Sequence, residues 1–405
     1  MAQLSATFRR DSKVIALVCV PHMLSHAYFL VMPPLFPLLK AAFGVSYTEL
    51  GFALSVFGLA AGLGQIPVGF LVDRIGGRVL LIAGMALQGT AIALIGVSGP
   101  FWQLVVLCGL AGAAHTVYHP ADYAILTATV EPGRLGRAFG IHSFTGTLGF
   151  AIAPVFMVTV AQAWHWRAAF LAIGAVGVAV SLLLFLNRGL LDQDRLAKKA
   201  RLEQGRDGSG GTRAGIGLLL SPPVMMCFVF FVVLISGVGG LRAFVVAALD
   251  QLFATPLSVV NTALFGLVAG SAVGILVGAQ LADRLGPRIA TAVLTLGPAA
   301  VLTVLVGTIP MSLVLLTCAL SAIGFFTGFI LPSRDLLLRS VTPDGAMGRV
   351  MGFASSGGNL AGGLVPLAFG WILDNYTANW VFWISGVLIG LALLTFLAVR
   401  ELHAK

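Results

Sequence analysis

Charge is scarce in this sequence. Asp, Glu, Lys and Arg together make up 10% of the 405 residues, where a water-soluble domain carries about 25%, so a soluble multidomain protein is excluded. Cysteine is scarcer still: Cys19, Cys108, Cys227 and Cys318 lie far apart in apolar surroundings. With no CxxC and no histidine at zinc spacing, they form neither a disulfide framework nor a structural metal site, and read as small core hydrophobes. A Walker loop, a nucleophile elbow and an HExxH helix are missing too. An enzyme is therefore not expected, nor is a cofactor or a resident metal.

What the sequence has in abundance is apolar length. Hydrophobic residues make up 58% of the chain, in runs of about twenty, each enough to cross the hydrocarbon of a bilayer. The alternating pattern of an outer-membrane barrel is absent, so the spans must satisfy their backbone as helices. Twelve are expected, at 14–39, 49–72, 79–98, 102–128, 137–161, 167–186, 222–249, 257–282, 288–307, 312–338, 348–370 and 379–399. The first runs on too far for a signal-peptide core and reads as an uncleaved helix. Residues 1–13 and 400–405 are then tails, 14–186 and 222–399 two six-helix bundles, and 187–221 a basic, Gly-rich linker with the tract "GRDGSGGTRAG".

The formal charge of +9 invites a nucleic-acid reading, but its placement argues otherwise. Of the 24 Lys and Arg, Lys40 and Arg167 fall on one side of the membrane, Arg242 and Arg334 within helices, and all the others on the opposite side. That is the positive-inside asymmetry; it puts both termini in the cytoplasm, as in a bacterial-type inner membrane, and makes the lipid bilayer the partner.

The two halves repeat. "LVDRIGGR" (71–78) matches "LADRLGPR" (281–288), and "GRAFGIHSFTGTLGFAIAP" (136–154) matches "GRVMGFASSGGNLAGGLVP" (348–366) at a shift of 212. Paired six-helix halves with a midplane cavity are the arrangement of carriers that alternate access by rocking. Gly266, Gly270, Gly274 and Gly278 lay a glycine stripe along the eighth helix, suited to close helix packing, to sliding, or to filling space.

The stretch "GFLVDRIGGR" (69–78) resembles the loop motif of the major facilitator superfamily, carried here by Gly69, Asp73, Arg74, Gly76 and Arg78, with Gly77 where a basic residue is common. A degenerate copy lies at Asp283, Arg284, Gly286 and Arg288. The resemblance implies the all-α major facilitator fold, with twelve transmembrane helices in two pseudo-symmetric bundles, and a conformational latch whose acid and guanidinium groups hold one conformation through pairing at helix ends; a purely topological role for the arginines is the alternative. Gly140, Gly149, Ala153 and Pro154 on the fifth helix resemble the superfamily's antiporter motif, with Ala153 replacing a glycine and the trailing glycine pair missing. The fourth helix also lacks the arginine of many drug–proton antiporters. "PLFPLLKAAFGVSYTELG" (34–51), Tyr118, His119 and Pro120, and "GRAFGIHSFTGTLG" resemble the fosmidomycin-resistance branch. That branch implies efflux of an anionic phosphonate.

Titratable groups at bilayer depth are costly and commonly face a cavity. They are His22 and His26 on the first helix, His115, His119 and Asp122 on the fourth, His142 on the fifth, Arg242 on the seventh, and Arg334 with Asp335 on the tenth. His115, Tyr118, His119 and Asp122 share one helix face, and Pro120 is expected to kink that helix, as Pro332 is its repeat copy. In the superfamily the first, fourth, seventh and tenth helices line the cavity, so His22, His26, His115, Tyr118, His119, Asp122, Arg242 and Arg334 are the expected substrate- and proton-binding residues. Histidines suit proton coupling, and the fork of Arg242 suits a carboxylate or phosphonate. His142 reads as a packing residue. Asp122 and Arg334, separated by the repeat shift, are expected to approach when the cytoplasmic side closes; Arg334 has pairing with Asp335, or snorkelling, as alternatives.

The function expected is secondary active transport: proton-coupled efflux of a small organic anion, zwitterion or drug by a monomer that does not bind nucleic acid. Proton-coupled import of a carboxylate, divalent-metal transport, and a non-transporting membrane sensor are the alternatives.

Overall fold

The computed structural model describes residues 2–191, 217–253, 256–285, 289–343 and 347–404, some side chains at the chain ends and within helices excepted; the only regular secondary structure among them is helical. In chain order the helices are α1 (Ala2–Ala27), α2 (Phe36–Phe43), α3 (Tyr47–Ile75), α4 (Gly77–Ile95), α5 (Phe101–His115), α6 (Tyr118–Thr129), α7 (Leu135–Ala163) and α8 (Trp166–Leu186), followed by α9 (Pro222–Phe253), α10 (Leu257–Leu285), α11 (Ile289–Val306), α12 (Leu313–Ser340), α13 (Met347–Asn375) and α14 (Asn379–Ala404). Among the described residues, eleven stretches are long and apolar enough to cross a membrane. The expected eleventh span lies in α13, which at 29 residues has the length, but its glycines, serines and Asn359 dilute its apolar character.

Two of the expected spans are each built from two helices. The first breaks after Ala27 into short 3-10 turns at Tyr28–Leu30 and Pro33–Leu35 before α2 resumes, because consecutive Pro33 and Pro34 remove two backbone donors. The segment expected as the tail 1–13 is helical from Ala2. The fourth breaks between His115 and Tyr118: the ring of Pro120 collides with the carbonyl four residues back, at Thr116, and the turn opens there. Pro332 lies inside an uninterrupted α12, so the expected symmetry of kinks is not reproduced as a break.

The described residues pack as two units, one from Met1–Val31 with Ala60–Gly210, the other from Met32–Leu59 with Gly211–Lys405. The grouping cuts across the sequence halves at one hairpin, α2 and the first half of α3, which packs with second-half helices. Backbone contact explains it. A Cβ at Gly51 would strike the carbonyl of Pro366, one at Gly58 that of Gly362, and one at Gly370 that of Tyr47. The start of α3 is fastened as well. Ser46 and Glu49 form a capping box, with Ser46 Oγ accepting from Glu49 N at 3.1 Å and Glu49 Oε2 accepting from Ser46 N at 2.8 Å. Asp374 of α13 accepts from Thr48 N at 2.7 Å, Thr48 Oγ1 at 2.6 Å and Tyr47 N at 3.1 Å, and Lys40 Nζ lies 3.6 Å away. Burial pushes this carboxyl up, but the bonds from Thr48 and Tyr47 and the charge of Lys40 outweigh it and hold it below the usual carboxylate range.

In the second unit the glycine stripe of α10 meets α12. A side chain at Gly270 would collide with the carbonyl of Ser321, at Gly274 with that of Phe325 and at Gly278 with that of Phe329, while Gly324 and Gly328 present the reciprocal contacts to Leu267 and Ser271. The stripe packs helices backbone to backbone. In the first unit α1 lies against α7, with Gly149 beneath the carbonyl of Met23, and Tyr28 donates to the carbonyl of Ile173 at 3.2 Å. That packing sets α1, α6 and α7 side by side.

Candidate functional site

The first unit gathers its titratable groups into one nest. α1 supplies His22 and His26 one turn apart; His115 ends α5; His119 and Asp122 stand in the first turns of α6; and His142 comes from α7. At its centre the carboxylate of Asp122 is fully buried. Its Oδ2 lies 3.0 Å from His142 Nε2 in hydrogen-bonding geometry. The same oxygen is 3.3 Å from His22 Nδ1, within ion-pair reach but out of line for a hydrogen bond, since that nitrogen has no hydrogen-bond partner among the described residues.

The rings stack around this oxygen. His22 and His142 lie nearly parallel with centroids 3.5 Å apart, His22 and His26 are 4.5 Å apart, and His119 is 5.3 Å from His22 and 5.9 Å from His26. Phe29 and Phe150 close one side, with Phe29 4.6 Å from His115 and Phe150 4.8 Å from His26. Gln88 of α4, fully buried, reaches His115 Nδ1 at 3.5 Å. Gly146 leaves the space the rings need: a Cβ there would fall 2.8 Å from His22 Nε2.

The break after His115 matters to this arrangement. It separates the stripe expected along one helix face into His115 on α5 and the rest on α6. Tyr118 is fully buried and turns its hydroxyl to Met85 Sδ at 3.7 Å, so it packs on α4 as His119 faces His22 and His26. His142, expected as a hydrogen-bonded packing residue, has Asp122 as its bonded partner. Gln88 was not anticipated at all; a lone buried amide in the apolar third span was its only signal.

Besides His22 Nδ1, the nest holds further buried polar atoms without a partner among the described residues, Gln88 Oε1 included. Asp122 Oδ1 and both ring nitrogens of His26 are buried without a hydrogen-bond partner among the described residues. Unsatisfied polar atoms at this depth are costly, and they point to a guest, whether proton, water, ion or ligand.

The remaining candidates lie in the second unit. Arg242 of α9 is half-buried and donates from Nη2 to Ser271 Oγ of α10 at 3.1 Å. Arg334 of α12 donates from Nε and Nη2 to Asp335 Oδ1 at 3.0 and 2.8 Å, and its guanidinium lies 4.3 Å above the ring of Phe231. Of the alternatives for Arg334, the structure shows the one with Asp335.

The residues of the loop motif divide. Gly69 and Arg74 lie on α3 and Arg78 on α4. Gly76 makes the turn between them at φ +95°, a conformation that a side chain resists, and its N–H donates to the carbonyl of Val72 at 2.9 Å. The side chains of Asp73, Asp283 and Arg284 lie outside the described residues, as do Gly286 and Arg288 entirely.

A family model, the Major Facilitator Superfamily, matches residues 19–252 and 237–405. The chain belongs to the major facilitator superfamily. As a member it is a multi-pass membrane transporter and not an enzyme. Its relatives include the probable sulfoacetate transporter of Cupriavidus necator, 26% identical with 96% of this chain and 94% of that protein covered, and the fosmidomycin resistance protein of Escherichia coli K12, 23% identical with 99% and 97% covered. The probable L-galactonate transporter of Escherichia coli K12 is 30% identical over 153 residues, 37% of this chain and 34% of that protein. Among solved structures, a bacterial homologue of the human lysosomal transporter Spinster in an inward-facing, occupied conformation matches with a TM-score of 0.77 at 16% identity, covering 96% of this chain and 97% of that one. That likeness speaks to the fold.

Proposed function

We propose that this major facilitator protein exports a small organic anion in exchange for protons, from a bacterial-type inner membrane with both termini inside, working as a monomer. The observation that carries the reading is the nest around Asp122. A buried carboxylate with two imidazole nitrogens within 3.3 Å, and with the rings of His26 and His119 at 4.5 and 5.3 Å from that of His22, gives a proton several neighbouring acceptors. Two positive rings stacked at 3.5 Å would repel strongly, so the nest suits one mobile proton, passed between Asp122, His142 and His22 as access alternates.

Arg242 supplies the complementary charge. Its planar fork favours carboxylate, sulfonate or phosphonate, and the names of the relatives, sulfoacetate, galactonate and fosmidomycin, all denote anions. The sulfoacetate and galactonate names favour a second reading, proton-coupled import of such an anion through the same residues. The test is flux into proteoliposomes under an imposed pH gradient, with phosphonates, sulfonates, sugar acids and lipophilic cations as candidates. Anion flux that follows the gradient supports the reading, and its sign separates export from import. Flux of cations alone overturns the role of Arg242, and the absence of any flux leaves the sensor.

A further inference from the structure

The orphaned atoms of the nest have a chemistry beyond the proton. Two imidazole nitrogens and one carboxylate oxygen converge: His22, His142 and Asp122 each present one ligand atom, and the three lie within 4.8 Å of one another with every residue buried. In a tetrahedral zinc site, with ligands at about 2.0–2.1 Å, adjacent donor atoms stand about 3.3 Å apart. His22 Nδ1 and His142 Nε2 stand 3.3 and 3.0 Å from the shared Asp122 Oδ2. This is ligand spacing without rebuilding of the backbone.

We propose that His22 Nδ1, His142 Nε2 and Asp122 form a binding site for a borderline divalent transition-metal ion of the Zn2+ class. Imidazole with carboxylate is the donor set of that class, and it lacks the many oxygens that Ca2+ or Mg2+ requires. The site offers more donors than these three. His26 carries two ring nitrogens without a partner among the described residues and lies 4.5 Å from His22, centroid to centroid. Asp122 Oδ1, equally without a partner, is available to a bidentate carboxylate, and the remaining position is left to His26 after a ring rotation or to water. The ion enters as protons leave, since ligation needs an ionised carboxylate and unprotonated nitrogens. Metal and proton therefore compete for the same atoms. Whether the metal is cargo or inhibitor, binding does not rest on the proposed anion transport, because it is read without flux.

The experiment uses the full-length protein, purified in detergent without a histidine tag, with Co2+ and Zn2+ as the probes. The expected results are a single bound Co2+ per chain, the visible ligand-field bands of a tetrahedral site, and loss of those bands in Asp122→Asn and in His142→Gln. Removing even an outer-shell partner of a metal ligand costs about 10–100-fold in affinity, so each variant should weaken Zn2+ by at least that factor. Should the variants fail to fold, X-ray absorption of the Zn2+-loaded wild type decides alone, with two or more imidazoles and no sulfur expected in the first shell. Absence of bound metal in the wild type, a sulfur-containing shell, or binding unchanged in both variants overturns the proposal.

Discussion

The fourth and tenth helices of the repeat carry proline and a charge at matching positions, yet they are built differently. At Pro120 the helix opens, and Thr116 and Val117 at the break settle over glycines: a Cβ at Gly64 would meet the Thr116 side chain, and one at Gly84 that of Val117. At Pro332 the helix runs on, held along its preceding turns by the backbone contacts of Gly324 and Gly328 with α10. The charges differ in kind as well. Asp122 is fully buried among imidazoles, whereas Arg334 pairs with a neighbour, Asp335, whose side chain is 47% exposed. A sequence repeat thus conserves register and helix-breaking residues within one chain, while neighbouring helices decide whether a proline bends the chain and whether a charge is stored or displayed.

The contrast predicts unequal costs for equal substitutions. The largest effect should come from the charges: Asp122→Asn abolishes gradient-driven flux, because no other carboxylate among the described residues serves the nest, while Arg334→Gln slows transport but leaves it gradient-dependent. Parallel proteoliposome assays check this, and equal loss of coupling in both would erase the distinction between the two sites. Next come the prolines. Pro120→Ala removes the cause of the break and should lower flux by shifting His119 and Asp122 relative to His22; Pro332→Ala should leave flux near wild type and gain a little thermal stability, since a helix-interior proline costs about 3 kcal/mol in an ordinary helix.

The glycines that keep α12 straight sharpen the point further. Gly324→Ala pushes a Cβ into the carbonyl of Leu267, and overpacking of this kind costs about 1–3 kcal/mol, read as a lower melting temperature; Gly140→Ala, whose Cβ would meet nothing within 4 Å, should not lower it. The smallest effect concerns pH. Asp374 has a depressed pKa in the folded protein, so its stabilisation is complete above the unfolded carboxylate value of about 4 and is lost only as pH falls through the lower folded value. Asp374→Asn should therefore lower the melting temperature equally at all pH values from about 5 to 8, and any change in the transport profile across that window belongs to Asp122 and its histidines.

Several of these features were legible in the sequence and others were not, for physical reasons. The placing of His119 and Asp122 on one helix and the doublet of His22 and His26 follow from spacing, as the repeat gives the register that equates Asp122 with Arg334; the break that puts His115 on a separate helix did not show in the spacing. Gly76, at the one turn of the loop motif needing a positive φ, was marked by the motif itself. The contact between His142 and Asp122 depends on how α6 packs against α7, which no local pattern encodes, and a histidine among apolar neighbours reads as core. The straightness of α12 at Pro332 depends on α10 in the same way. The hold of Asp374 on Tyr47 and Thr48 joins residues more than three hundred positions apart and draws the first hairpin into packing with the second half, a grouping that hydropathy does not reveal.

The central claim is that substrate movement is tied to protons through Asp122 and its histidines. The most direct measurement traps a pH-sensitive dye inside proteoliposomes with no imposed proton gradient, and follows internal pH when an outward or inward gradient of a transported anion is applied. The account predicts substrate-driven proton movement in the wild type, opposite to the anion for export by exchange, and none in Asp122→Asn. Anion flux through the wild-type protein with no accompanying change in pH would contradict it.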